Sequence, residues 1–213
     1  VQQGEEEMER NMKAWDDVTG MKLDPKEVMK ARRKELEYVK AKGVWKKMSR
    51  EQAIKEGYKI VKTRWIDINK GDEWEAIYRS RLVAKEFNVG KEDGLFAGTP
   101  PLEALRFLVH EAATVTGDEE EEKVIMINDV SRAFFEAKAT RKVCVEIPEE
   151  SEDYDEGSSV AVLIMSLYGT RDAAMNWQEE VARMMAKWGF RRGTVSYTHL
   201  RAHETREDRG CRG

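Results

Sequence analysis

A short apolar run, Val124-Ile125-Met126-Ile127, ends in Asn128-Asp129-Val130 and leads into Ser131-Arg132-Ala133-Phe134-Phe135. The run reads as a buried strand that delivers one carboxylate to its own C-terminal end, with an apolar helical turn behind it. A carboxylate fixed on a rigid element is suited to gripping a divalent cation, because Mg²⁺ takes carboxylate and phosphate oxygens. Asp129 also admits a plainer role, as N-cap of a helix starting near Val130. Phe134 stands where a bulky ring could border a sugar, and Ala133 is small enough to pack beneath a substrate. Both Phe134 and Phe135 are equally readable as core. His199 and His203 would share a helix face, but no His-Glu-x-x-His pattern or third ligand makes them a metal site.

The elements that must position Asp129 follow from punctuation and periodicity. Asp24-Pro25 opens a helix, with Asp as N-cap and Pro at the first position, and Val28, Ala31, Leu36 and Val39 carry it to about Ala41, where Gly43 stops it. Residues 1–23 are polar and acidic, and read as poorly ordered or loosely helical. Tyr58–Asn69 and Ile77–Phe87 read as strands of a hairpin turned at Lys70-Gly71-Asp72-Glu73. Leu102–Val115 reads as a helix after Pro100-Pro101. Beyond the Val124–Ile127 strand and a Ser131–Ala137 helical turn come strands over Arg141–Ile147 and Val160–Ser166. Tyr168-Gly169-Thr170 then turns into a helix whose apolar face runs Ala174, Trp177, Val181, Met184, Met185 and Trp188, ending at Gly189. Strands and helices are mixed without strict alternation, which favours an α+β fold over a doubly wound sheet.

Composition bounds the remaining choices. The 213 residues suffice for one good-sized domain, and 37% charged against 40% hydrophobic residues describe a soluble chain with a modest core. No run approaches the roughly 18 apolar residues of a membrane helix. The first residues have no basic start or apolar core of a signal peptide, and the absence of an initial Met suggests a fragment. Two cysteines support neither a disulfide framework nor a zinc site, so a reduced, intracellular setting, cytoplasmic or nuclear, is expected. The net charge of −4 counts mildly against global attraction to nucleic acid. Cations nevertheless recur locally at Lys59, Lys62, Arg64, Lys70, Arg79, Arg81 and Lys85, while acid collects in Asp118–Glu122 and Glu149–Glu156 as solvated loops.

Four blocks in order carry a resemblance. They are Tyr78-Arg79-Ser80-Arg81-Leu82-Val83-Ala84-Lys85, Asp129-Val130-Ser131-Arg132-Ala133-Phe134, Val143-Cys144-Val145-Glu146-Ile147-Pro148, and Ser166-Leu167-Tyr168-Gly169-Thr170-Arg171-Asp172-Ala173-Ala174 through Trp177, followed by Trp188-Gly189-Phe190. Together they resemble the reverse transcriptase of copia-type LTR retrotransposons over roughly residues 43–195. The resemblance implies a partial polymerase fingers-and-palm fold, a mixed or antiparallel sheet with packing helices. Residues 1–42 would be a polar, helical upstream segment and 43–195 the N-terminal part of the domain. Residues 196–213 read as a disordered tail resembling translated sequencing adapter. Lys70, Arg79 and Arg81 would meet the triphosphate of a dNTP, an Arg fork suiting phosphate oxygens and a Lys supplying a point charge. Asp129 would be the first catalytic carboxylate and a Mg²⁺ ligand, with the Val130 carbonyl completing the set. Phe134 would border the sugar, and Tyr168 and Gly169 would lie against nucleotide and template. RNA template, DNA primer, dNTPs and the rest of a Pol polyprotein would be its partners, with no membrane.

One departure matters. The family finishes its metal site with adjacent aspartates downstream of the Gly-Phe segment, and none follows here; the pair Asp16-Asp17 lies far upstream. One carboxylate cannot hold two Mg²⁺ ions about 4 Å apart. The expectation is a fragment that does not polymerise by itself. Two other readings stay open: a decayed or domesticated palm-like module that only binds nucleic acid, and a helix-rich interaction protein using the Asp24–Ala41 and Ala173–Trp188 helices.

Overall fold

The computed structural model describes residues 12–72, 74–87, 95, 97–98, 101–114, 125 and 127–190. The chain divides into two compact units, Val1–Leu95 with Arg132–Glu180, and Phe96–Ser131 with Val181–Gly213. The tail over residues 196–213 lies outside the described residues.

The first unit opens with helix α1, Pro25–Lys42. The Asp24 carboxylate accepts from the Lys26 amide at 2.9 Å, Pro25 occupies the first turn, and Gly43 closes the helix at φ 61°. Strand β1 (Trp45–Ser49) follows, then the short helix α2 (Arg50–Lys55), capped by Ser49. The expected strand over Tyr58–Asn69 is two strands, β2 (Lys59–Val61) and β3 (Thr63–Asn69), which belong to different sheets. β3 pairs antiparallel with β4 (Tyr78–Ala84) in a two-stranded ribbon, Thr63 opposite Ala84 and Asn69 opposite Tyr78. The other sheet runs β1-β6-β5-β2, where β5 is Val143–Glu146 and β6 is Ser159–Leu163. β6 is antiparallel to both neighbours, and β2 is parallel to β5.

Alternation divides that sheet's side chains between two apolar clusters. Val143, Val145, Ala161 and Leu163 pack with Val39 of α1, Phe135 and Leu167. Cys144, Val160 and Val162 pack with Ala53 of α2. Burial pushes the Cys144 thiol up to about 11, so it behaves as a small core residue.

Two further expectations are corrected in this unit, and two elements had no expectation. Residues 12–23 are not loose: Trp15 bridges to Lys22, and Ala14 and Leu23 bury against Val28. β1 and α2 carried no apolar period that would announce them; β1 is held by its ladder to β6. The helical turn after Asp129 is a 3₁₀ turn, Ala133–Glu136, whose N-cap is Arg132 rather than Asp129.

In the second unit, helix α3 spans Leu102–Ala113 with no buried residue. Ile125 and Ile127 are exposed and outside any strand, so the described part of the Val124–Ile127 run is not the buried strand expected. An apolar run alone does not make a strand; it needs a ladder partner, and none pairs with Ile125 or Ile127 among the described residues. Helix α4, Ala173–Lys187, begins in the first unit and ends in the second, with Gly189 left-handed just beyond it.

Candidate nucleotide site

The Tyr168-Gly169 turn sits on the end of the ribbon. The Ala84 amide donates to the Tyr168 carbonyl at 2.7 Å. Gly169 has φ 81°, and a Cβ there would lie 2.1 Å from the Ala84 carbonyl oxygen and 2.5 Å from Val83 Cγ1. Only glycine permits both that dihedral and that approach. The turn is thereby fixed against β4, and the Tyr168 ring meets three partners. The Arg81 guanidinium stands 4.9 Å from its centroid, Phe134 at 5.1 Å and Phe135 edge-on at 5.4 Å. These are cation–π and aromatic contacts of ordinary geometry. Burial pushes the Tyr168 hydroxyl upward in pKa, opposed by the charge of Arg81. Arg81 Nε is buried without a hydrogen-bond partner.

Directly opposed residues of an antiparallel pair share a face. The β3–β4 register therefore puts Arg79, Arg81 and Val83 on one ribbon face with Ile68, Ile66 and Arg64. Lys70 is exposed just past β3, where its amide donates to the Ile77 carbonyl at 2.9 Å. Arg64 lies 3.7 Å from Asp17. The opposite face carries Trp65, Asp67, Leu82 and Ser80, and Arg32 of α1 reaches Asp67 and sits over Trp65 there.

Arg81, Phe134, Tyr168 and Gly169 thus come together, with Arg79 on the same ribbon face as Arg81. Asp129 and Val130 belong to the second unit, where both are exposed. Among the described residues no group of three or more His, Cys, Asp or Glu side chains is placed to hold a metal ion. One exposed carboxylate does not fit the donor set that two Mg²⁺ ions require. The Asp16-Asp17 pair is spent elsewhere. Asp17 accepts from the Asp67 amide at 2.8 Å, and Asp16 accepts from Asn69, Val18 and Thr19. Those amides, Asn69 first, hold the Asp16 carboxyl down at about 2.

Two groups around the site carry no sequence signal of their own. Glu35 of α1 accepts from Arg132 Nε at 2.7 Å, and Tyr38 stacks under the same guanidinium at 4.2 Å. Glu86, its side chain wholly buried, accepts from both terminal nitrogens of Arg141, from Lys59 and from the Arg171 amide. Arg141 also bridges to Asp172 at 2.7 Å. This network ties the ribbon's exit to the start of α4. Only the recurrence of charge inside and beside the quoted blocks hinted at it.

A family model of reverse transcriptase (RNA-dependent DNA polymerase) matches residues 46–204, past the Val195 limit of the sequence blocks. The Retrovirus-related Pol polyprotein from transposon TNT 1-94 of Nicotiana tabacum is 27% identical over 156 residues, which cover 71% of this chain and 11% of that polyprotein. No solved structure matches the chain. With three quarters of its length matched, over a span that contains all four blocks, the chain belongs to the reverse transcriptase (RNA-dependent DNA polymerase) family and is of copia type.

Proposed function

We propose that the chain is the fingers and part of the palm of a retrotransposon polymerase, and that Arg81, Tyr168, Gly169 and Phe134 form the nucleotide subsite, with Arg79 and Lys70 supplying further charge for phosphates. The observation that carries this reading is their convergence: residues from β4, from the turn before α4 and from the 3₁₀ turn meet around one ring. A half-buried guanidinium held over the Tyr168 ring suits a phosphate oxygen at its accessible edge. Phe134, packed on Tyr168, would form the sugar-side wall. In the complete protein the reaction is template-directed attack of a primer 3′-hydroxyl on a dNTP α-phosphate, with Asp129 as the first carboxylate of a Mg²⁺ site whose other members this chain does not carry. The chain alone binds RNA template, DNA primer and dNTPs without polymerising.

The experiment is incorporation and binding on one purified sample. No Mg²⁺-dependent dNTP incorporation is expected on a primed RNA template, while binding to that template falls with salt and weakens when Lys70, Arg79 and Arg81 are neutralised together. Incorporation abolished by Asp129→Asn would overturn the inactivity. Binding indifferent to the three cations would instead support an interaction protein. The apolar residues Val28 and Val39 of α1 are already buried within the first unit, which disfavours that helix as a docking face.

A further inference from the structure

Among the described residues, only Arg132 (φ 52°) and Glu156 (φ 54°) combine a left-handed backbone with a side chain other than glycine. Such a residue keeps this conformation where its surroundings over-determine it. For Arg132 the surroundings are two residues of α1. Glu35 Oε2 accepts from Arg132 Nε at 2.7 Å, and the Tyr38 ring lies 4.2 Å under the guanidinium. Residues three apart on a helix share a face, so α1 presents both as one clamp. Glu35 is 2% exposed, and its other oxygen has no hydrogen-bond partner. A half-satisfied buried ion pair is a poor device for stability, since apolar residues in place of both partners often do as well or better. Its evident effect is on geometry. Arg132 caps the 3₁₀ turn, and its carbonyl accepts from the Phe135 amide at 2.9 Å. The dihedrals at Arg132 therefore aim Phe134, whose ring stands 5.1 Å from Tyr168.

We infer that Glu35 is a positioning residue: by clamping Arg132 in its left-handed conformation it sets the Phe134 ring against Tyr168 and so fixes the sugar-side wall of the nucleotide subsite. This rests on the reading of Phe134 and Tyr168 proposed above. Glu35 lies before residue 46, where the family match begins.

The test is the affinity ratio of dATP to ATP, measured by equilibrium dialysis on the full chain at fixed MgCl₂, with a thermal melt of every variant. A wall that excludes one hydroxyl gives a preference for dATP of about 10- to 100-fold. Glu35→Met fills the same volume without an acceptor and leaves the partly exposed Arg132 charge to water. Because one partner of a buried pair is removed, it is expected to melt at a lower temperature while staying folded at the temperature of the dialysis, and to bring the ratio within about twofold of unity. Glycine adopts the left-handed conformation without a clamp, so adding Arg132→Gly to E35M is expected to restore most of the preference. A merely structural role for Glu35 predicts no such rescue. The inference is overturned if E35M keeps the preference while Phe134→Ala loses it, or if E35M loses it and Arg132→Gly restores none. If Phe134→Ala leaves the preference intact, the subsite reading fails and this inference falls with it. Should E35M not fold, Glu35→Gln is read by the same criteria.

Discussion

Gly169→Ala is the sharpest perturbation of the proposed site, because two costs meet at one atom. The backbone at φ 81° is left-handed, which costs a residue with a Cβ about 1–2 kcal/mol. The new methyl would also stand 2.1 Å from the Ala84 carbonyl oxygen, so the turn must retreat by about 1 Å from β4 to reach ordinary contact. Overpacking of this kind costs about 1–3 kcal/mol. Retreat also stretches the 2.7 Å bond from the Ala84 amide to the Tyr168 carbonyl, worth about 1 kcal/mol. The expected loss is about 3–6 kcal/mol in all. Gly43→Ala supplies the control, since Gly43 is equally left-handed (φ 61°) but has nothing within 4 Å of its would-be Cβ. It should lose only the conformational share, about 1–2 kcal/mol. Urea denaturation of both variants, followed by circular dichroism with a common slope, measures the difference. If Gly169→Ala costs no more than Gly43→Ala, the turn is not pressed against β4 and the geometry argued for Tyr168 is wrong.

Acid should strike the Glu86 network first. Burial alone would raise this carboxyl, but the Arg141 fork, the Arg171 amide and Lys59 hold it down from 4.5 to about 2. Its contribution, about 3 kcal/mol, is therefore present above about pH 4.5 and is lost as pH falls toward 2. Stability measured from pH 6 to 2 should show this loss in the parent chain and not in Glu86→Gln; identical pH profiles would refute the assignment. Glu86→Ala at neutral pH removes the acceptor shared by Arg141, Lys59 and the Arg171 amide, leaves Arg141 its pair with Asp172, and should cost about 3 kcal/mol in urea. Asp24→Ala removes the bond to the Lys26 amide and should cost about 1 kcal/mol, with the first turn of α1 losing amide-exchange protection. An unchanged exchange pattern there would mean that Pro25 alone sets the start.

Local chemistry was readable from the sequence where it acts over a few residues. Asp24-Pro25 and Gly43 bound α1, the Lys70–Asp72 turn joins β3 to β4, and the apolar period after Thr170 gives α4. What stayed hidden depends on partners distant in sequence. β1, with two consecutive lysines, is a strand because β6 pairs with it across more than a hundred residues. Asp16 and Asp17 look like solvent-facing acid until β3 offers them its amides. Lys62 breaks what reads as one strand because β2 follows β5 while β3 follows β4. The site shows the same division. Arg81, Phe134, Tyr168 and Gly169 stand out by type and setting, but Glu35 is one acid among many on a charged helix until Arg132 is placed beside it.

The central claim is that the Arg81–Tyr168–Phe134 cluster is a nucleotide subsite, and equilibrium dialysis of dATP against the parent chain and Arg81→Ala tests it most directly. A hydrogen bond to a charged group is worth about 1.5–3 kcal/mol, so the loss of Arg81 should weaken dATP binding by about 10- to 150-fold. A control at Lys59, whose ammonium is engaged with Glu86, should leave binding unchanged. Equal dATP affinity in the parent chain and Arg81→Ala would contradict the account.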